Sequence, residues 1–339
     1  GQMITEDFVI DFVQRTKKIS DEIQPSFFEL TVAMAFDYFA HEKIDIAVIE
    51  TGLGGRLDST NIITPVLSVI TNIGYDHMNI LGDTLEKIAG EKAGIIKKDI
   101  PVVIGEYLPE TKNIFIDKAS TEHAPLYFAQ EEYSIGQTQS TTNALQVELK
   151  NIEHKQKSSF ILDLNGLYQT KNVRTVICAI KILQQNGFVI KDEALRSALS
   201  NVKKLTGLHG RWDVIEQNPT LVLDVAHNED GIKQVLMQVE QWGTDNRQKI
   251  HFVIGMVKDK EVSKVLELLP DDAMYYFTNA HIPRALPAAE LQQKASEYNL
   301  SGATFDNVND AIVAAKNAAT KNDMIIVCGS VFLVGEVDV

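Results

Sequence analysis

Val48-Ile49-Glu50-Thr51-Gly52-Leu53-Gly54-Gly55-Arg56-Leu57-Asp58-Ser59-Thr60-Asn61 is the stretch from which the rest of the chain is read. The apolar run leading into it, from Ile44 to Ile49, predicts a buried strand that delivers a carboxylate, Glu50, at its carboxyl end. Open α/β sheets build their sites at that end of the strands. The glycines that follow, Gly52, Gly54 and Gly55, allow close backbone approach to a ligand or a positive φ. A dinucleotide fingerprint fails, because Leu57 stands where G-x-G-x-x-G requires its third glycine. Taken alone, Glu50 reads equally well as a surface carboxylate.

Outward from this turn, strands and helices alternate. Helices are predicted over residues 5–19 and 26–41, the second apolar on most sides and therefore expected to be buried. A second strand at 67–71 runs into Asp76-His77, and Asp83 or Thr84 caps a helix reaching Ile96. Strands at 101–105 and 126–128 follow, then an antiparallel hairpin between 143 and 168, and helices at about 170–186 and 191–201. Past Gly210 the pattern restarts with strand 221–224, helix 228–242, strand 251–254, helix 260–269, strand 275–277, helices 287–298 and 308–319, and strand 324–327. The fold class expected is α/β, a parallel sheet covered by helices on both faces, in two domains of residues 1–209 and 210–339.

A chain of 339 residues supports two domains, and 45% hydrophobic with 23% charged residues is ordinary for a globular protein. The net charge of −14 argues against nucleic acid or an anionic membrane as partner, but not against a small anionic substrate. Cys178 and Cys328 lack metal-ligand spacing and read as reduced core residues of a cytoplasmic protein. The apolar run Met324–Cys328 is far short of the ~20 residues a membrane helix needs. No basic segment followed by an apolar core opens the chain, so no signal peptide is expected, and a start on Gly1 reads as trimmed.

Four further features carry polar chemistry. Asp76-His77 follows the second strand; His77 is either a structural hydrogen-bonder or, beside Glu50, a ligand for Mg²⁺ bound through substrate phosphates. A structural zinc site would need four protein ligands. Lys92 is either half of a solvated Glu91-Lys92 pair or, given the small and apolar stretch Ile88–Ile96, turned inward. Asp224-Val225-Ala226-His227-Asn228 repeats the theme of a strand ending on a carboxylate, with Asn228 also readable as a helix cap. Arg211 is either a phosphate clamp between domains or a surface residue of a linker. No Ser-His-Asp or Cys-His arrangement is present, so the residues fit the positioning and charge neutralisation that phosphoryl transfer requires.

Together these blocks resemble the folylpolyglutamate synthase/dihydrofolate synthase family of the Mur ligase superfamily. Glu50–Asn61 is similar to its E-x-G-L-G-G-R-L-D-[AS]-T-N signature. Asp76-His77, Gly90–Ile95, Asp224–Asn228 and Cys328-Gly329-Ser330 match further blocks in the same order. The resemblance implies a Mur-ligase-like fold, with an incomplete P-loop-NTPase-type central domain and a smaller Rossmann-like C-terminal glutamate-ligase domain. It implies Glu50 and His77 as Mg²⁺ ligands and Lys92 as a carbamylated, metal-facing residue. Asn172 is implied at adenine, Arg211 at phosphate and Asp224 at ribose, with Asn228 on the nucleotide side. His227 is implied near the γ-phosphate and the acyl intermediate. The implied reaction uses ATP to activate a carboxylate of dihydropteroate or a folate, which L-glutamate then attacks; a monomer is expected.

One departure stands out. The family carries G-T-N-G-K-[GST]-[ST] on its first strand and helix, and no G-x-x-x-x-G-K-[ST] occurs in these 339 residues. The chain is therefore expected to lack its N-terminal P-loop segment, to bind ATP poorly and to turn over little. A non-catalytic binding protein derived from the ligase, and a Mur-type ligase acting on cell-wall precursors, are the alternatives; a nicotinamide dehydrogenase is a distant one.

Overall fold

The computed structural model describes residues 2–242, 249–258 and 262–338. The chain forms two compact units: Gly1–Ile73, Met78–Ala129 and Cys178–Phe188 in the first, and Gly74–His77, Gln130–Ile177 and Val189–Val339 in the second.

In the first unit three short strands, β1 (Ser68–Ile70), β2 (Val102–Ile104) and β3 (Leu126–Phe128), pair in parallel in that order. β2 is central, and its three side chains are fully buried, as expected of a strand covered on both faces. Ile88, Ala89 and Ala93 of the helix Leu85–Ala93, with Phe115 and Ala119 of the helix Pro109–Thr121, pack on this sheet. Thr84 caps the first of these helices by accepting the Lys87 N–H.

The second unit holds two sheets. β4 (Tyr133–Ser140), β5 (Leu145–Asn151) and β6 (Lys157–Leu162) form an antiparallel meander where a single hairpin is predicted from sequence. The larger sheet has the order β11-β10-β9-β12-β8-β7, built from β7 (Asp213–Glu216), β8 (Thr220–Leu223), β9 (Ile250–Ile254), β10 (Met274–Phe277), β11 (Gly302–Thr304) and β12 (Met324–Cys328). All of its pairings are parallel except β7 with β8. β12 lies at the centre with every side chain buried. Successive residues face opposite ways: Met324, Ile326 and Cys328 join one core, Ile325 and Val327 the other. The helices Glu229–Trp242, Val262–Leu268 and Ala288–Ser296 cover the first face, and Val308–Ala318 covers the second. The predicted helix 260–269 begins on residues outside those described. β7, β11 and the closing turn of helix Val331–Val334 have no counterpart in the sequence expectation, being short and weakly patterned.

Two expectations need correction. The segment Ile44–Ile49 is not a buried strand: no described strand pairs with it, and Ile46 and Val48 are 65% and 95% exposed. Its apolar side chains lack a neighbouring layer among the described residues, so pattern alone does not make a sheet strand here. The helix Phe27–Glu42 is likewise not buried; Val32 alone is below the surface and Phe27 is exposed. One side of it is covered by the helix Glu6–Ile23, with Phe8 and Tyr38 meeting edge to face at 5.0 Å.

Candidate active site

In the first unit the glycine-rich turn is held by its own acid. Asp58 Oδ2 accepts the Leu53 N–H at 2.8 Å, and Oδ1 accepts the N–H (2.9 Å) and hydroxyl (2.5 Å) of Thr60. Burial works to raise the Asp58 carboxyl, but these hydrogen bonds outweigh it and hold the group below its ordinary value. The turn is fastened to the Lys92 helix by Arg56, whose N–H donates to the Glu91 carbonyl at 2.8 Å. The Arg56 guanidinium meets the Glu91 carboxylate at 2.9 and 3.1 Å. Asn61 Nδ2 donates to the Gly94 carbonyl at 3.1 Å. Gly54 needs its φ of +69°, and a Cβ on Gly55 would lie 3.0 Å from the carbonyls of Glu91 and Lys92.

Lys92 lines a hollow of about 80 Å³ together with Thr51, Gly54, Thr71, Asn72 and Ile95. Lys92 thus borders the turn that follows Glu50. Glu50 itself is exposed and does not line the hollow. Among the described residues no group of three or more His, Cys, Asp and Glu side chains could hold a metal ion. No described Asp, Glu or His lines the hollow, so an ion there would draw its anionic ligands from substrate phosphates or from a carbamate at Lys92.

The other sequence candidates lie in the second unit. Gly74–His77 belongs to that unit, with His77 at a φ of +50°. Asp224, just past the carboxyl end of β8, is 4% exposed and accepts three hydrogen bonds: Ala226 N–H on Oδ1 (2.9 Å), and Trp212 N–H (2.8 Å) and the Tyr168 hydroxyl (3.0 Å) on Oδ2. Burial raises the Asp224 carboxyl despite these donors, and burial with the Asp224 charge pushes the Tyr168 phenol far up. The Arg211 charge acts on both groups, and the Arg211 guanidinium donates to the Gly210 carbonyl at 3.3 Å. Gly210 takes a φ of +73° and leaves no room for a Cβ against Val225 and Val334.

Asn172 sits in the first turn of the helix Gln169–Gln185, its amide donating to Gln169 Oε1 at 2.9 Å. His227 Nδ1 lies 2.9 Å from the Val225 carbonyl, and Asn228 Oδ1 accepts the Gly231 N–H at 2.9 Å. Asn228 is thus a helix cap as well as a candidate contact. Gly329, after β12, runs so close to β9 that a Cβ would fall 2.5 Å from the Gly255 carbonyl oxygen. Within the second unit, then, Asp224, Arg211, His227 and Asn228 gather around the strand ends. Glu50 and Lys92 belong to the first unit. Sequence reasoning missed Tyr168 and the backbone of Trp212 as partners of Asp224. The buried Asp213, joined to Lys203 and His209, was also missed. A tyrosine between a glycine and a helix start carries no signal of its own.

Comparisons with known proteins identify relatives of the chain. The Mur ligase middle domain matches residues 9–180, and the Mur ligase glutamate ligase domain matches residues 210–331. A dihydrofolate synthase/folylpolyglutamate synthase of Bacillus subtilis (strain 168) is 34% identical over 317 residues, 93% of this chain and 72% of that protein. The structure of E. coli FolC in complex with DHPP and ADP is similar with a TM-score of 0.82 at 26% identity, covering 98% of this chain and 75% of that one. A bifunctional folylpolyglutamate synthase/dihydrofolate synthase with Mn, AMPPNP and L-glutamate bound has a TM-score of 0.80 at 28% identity, covering 98% and 76%. The chain therefore belongs to the folylpolyglutamate synthase/dihydrofolate synthase family of Mur ligases.

Proposed function

We propose that this chain is an ATP-dependent ligase that joins L-glutamate to a carboxylate of dihydropteroate or a folate. The observation that carries the reading is the ordered recurrence of five family blocks, with those of the second unit gathered at strand ends and the Glu50–Asn61 turn fastened to the Lys92 helix. Similar proteins bind ADP, AMPPNP, Mn and L-glutamate, which supports ATP and a divalent ion such as Mg²⁺ here. We assign residues 1–209 to nucleotide binding and 210–339 to the glutamate-ligase domain, consistent with the family matches.

In the first unit, a carbamylated Lys92 and Glu50 are the residues that would offer anionic ligands to the divalent ion; His77, the third ligand implied by the family resemblance, belongs to the second unit. Such an ion, when bound, neutralises charge on the transferring phosphoryl group. Arg211 provides a fixed guanidinium for phosphate, and Asn172 provides an amide for adenine. Asp224 buttresses the Gly210–Trp212 turn from below and reaches ribose only through the acceptor capacity its three donors leave. His227, its ring fixed at Nδ1, contacts the phosphate or the acyl intermediate. The chain's task is positioning and exclusion of water, since an acyl phosphate hydrolyses if water reaches it before the amine. No described helix is long and apolar enough to cross a membrane. We place the protein in the cytoplasm, as a monomer, with small-molecule partners.

The test is ADP release measured with ATP, Mg²⁺ and glutamate against a panel of dihydropteroate, tetrahydrofolate and a UDP-sugar peptide. Release that depends on a pterin substrate and on glutamate supports the proposal. Release that depends on the UDP-sugar peptide instead identifies a cell-wall ligase.

A further inference from the structure

Arg211 stands in the middle of a turn whose two ends are joined through side chains, all within the second unit. His209 Nδ1 lies 2.9 Å from Asp213 Oδ2, four residues on, and Lys203 Nζ donates to Asp213 Oδ1 at 2.6 Å. The Asp213 carboxyl is held below its ordinary value, so it is an ionised group that only accepts. His209 Nδ1 therefore carries a proton and donates it to Oδ2. The Asp213 side chain is 5% exposed and that of His209 is 61% exposed, so a buried anchor holds a surface ring. Between the two, Gly210 has a φ of +73° and the fully buried Trp212 a φ of +50°. A non-glycine residue keeps left-handed backbone only where its surroundings impose it. Two bonds to the end of β8 do part of this: the Gly210 carbonyl accepts the Val225 N–H at 3.0 Å, and the Trp212 N–H donates to Asp224 Oδ2 at 2.8 Å. The His209–Asp213 bond is the tie that spans Arg211 itself.

We propose that His209, anchored on Asp213, is a positioning residue that closes the turn around Arg211 and so sets where the guanidinium stands for phosphate. The inference rests on the reading of Arg211 as a phosphate contact. Without the tie, Gly210 is free to take either sign of φ, and the Arg211 side chain is ordered only when the ligand arrives. That ordering cost then falls on binding. Stability is little affected, because His209 is mostly exposed and Lys203 keeps Asp213 paired when the ring is removed.

The experiment measures ADP binding in the presence of Mg²⁺ by titration calorimetry for the wild type, His209→Ala, His209→Asn, Arg211→Ala and the His209→Ala/Arg211→Ala double variant. Amide hydrogen exchange at Trp212 is followed in the wild type and the His209 variants. The expected result is an ADP Kd about 3- to 10-fold higher in His209→Ala, with the melting temperature moved by less than about 2 °C. His209→Asn, whose amide supplies a donor in place of Nδ1 but nothing in place of Nε2, recovers most of the loss. His209→Ala adds nothing in the Arg211→Ala background. Exchange at Trp212 quickens about tenfold in His209→Ala while the N–H groups of β12 keep their wild-type protection. Equal losses with and without Arg211, or His209→Asn as weak as His209→Ala, show that the ring itself meets the ligand and overturn the proposal. Unchanged ADP binding or unchanged Trp212 exchange overturns it as well. If the wild type binds no ADP, the reading of Arg211 as a phosphate contact fails, and the Trp212 exchange still decides whether His209 closes the turn.

Discussion

Gly94 closes the Lys92 helix at φ −60° and ψ −14°, a conformation any residue adopts, so an alanine there meets no backbone strain. It meets Arg56 instead. A Cβ would lie 2.3 Å from Arg56 Cα, 2.4 Å from its Cβ and 2.7 Å from its backbone nitrogen. Carbon atoms rest about 3.5–4.0 Å apart, so the glycine-rich turn must retreat by more than about 1 Å. That movement stretches the 2.8 Å bond from Arg56 N–H to the Glu91 carbonyl and the 3.1 Å bond from Asn61 to the Gly94 carbonyl. Overpacking costs about 1–3 kcal/mol and a lost hydrogen bond about 1 kcal/mol, so Gly94→Ala is expected to destabilise the first unit by roughly 3 kcal/mol. Gly90, one turn earlier in the same helix, has nothing within 4 Å of its Cβ position, so Gly90→Ala serves as the matched control. It should stabilise by about 0.4–1 kcal/mol through helix propensity and the unfolded chain. Differential scanning calorimetry reads both variants: the Gly94→Ala transition should fall by several degrees, at about 2–4 °C per kcal/mol, while Gly90→Ala should rise slightly. A Gly94→Ala melting temperature at or above that of the wild type would show that the turn is not seated on the Lys92 helix.

Three further outcomes are expected in the second unit. Tyr168→Phe removes one of three donors to the buried Asp224 and should destabilise this unit by about 1–3 kcal/mol in urea unfolding; an unchanged midpoint would show that the hydroxyl does not hold Asp224. His251 is fully buried, with Nδ1 3.1 Å from the Tyr276 hydroxyl and Nε2 3.7 Å from Asp323 Oδ2, and burial lowers its folded value below the ordinary 6.5. Neutral His251 is thus favoured in the fold, so stability is full above pH 6.5 and lost as pH falls toward the lower folded value, a slope that His251→Gln should flatten in urea midpoints. For Asp213, burial raises the carboxyl but hydrogen bonds from Lys203 (2.6 Å) and His209 (2.9 Å) outweigh it, leaving a net fall below 3.8. That contribution is present above pH 3.8 and lost as pH falls through the folded value, so Asp213→Asn should lower stability at neutral pH and lose less on acidification.

The order of strands and helices was legible wherever both faces of an element are covered. Met324–Cys328 reads as an unbroken apolar run because β12 is buried on both sides, and the chain after Gly210 follows the predicted alternation. Ile44–Ile49 has the same apolar character but no paired neighbour among the described residues, and a sequence pattern does not report whether a partner strand is there. The short strands β7 and β11 escaped because three or four residues with polar members carry no periodicity. Of the site, the charged residue at a strand end was visible in Asp224, with His227 and Asn228 beside it, whereas the strand expected to deliver Glu50 is not among the described strands. What fixes Asp224 was not visible. The Tyr168 hydroxyl and the Trp212 N–H reach it over 56 and 12 positions, and such long-range contacts leave no local trace.

In the proposed reaction, phosphate passes from ATP to the pterin-side carboxylate before glutamate attacks. The direct measurement gives the enzyme, in excess, a substrate carrying heavy oxygen in that carboxylate, and follows the label by mass spectrometry through a single turnover, whatever its rate. One labelled oxygen should appear in inorganic phosphate for each amide formed, with ADP as the nucleotide product. Amide formed with unlabelled phosphate, or with the label in AMP, contradicts it.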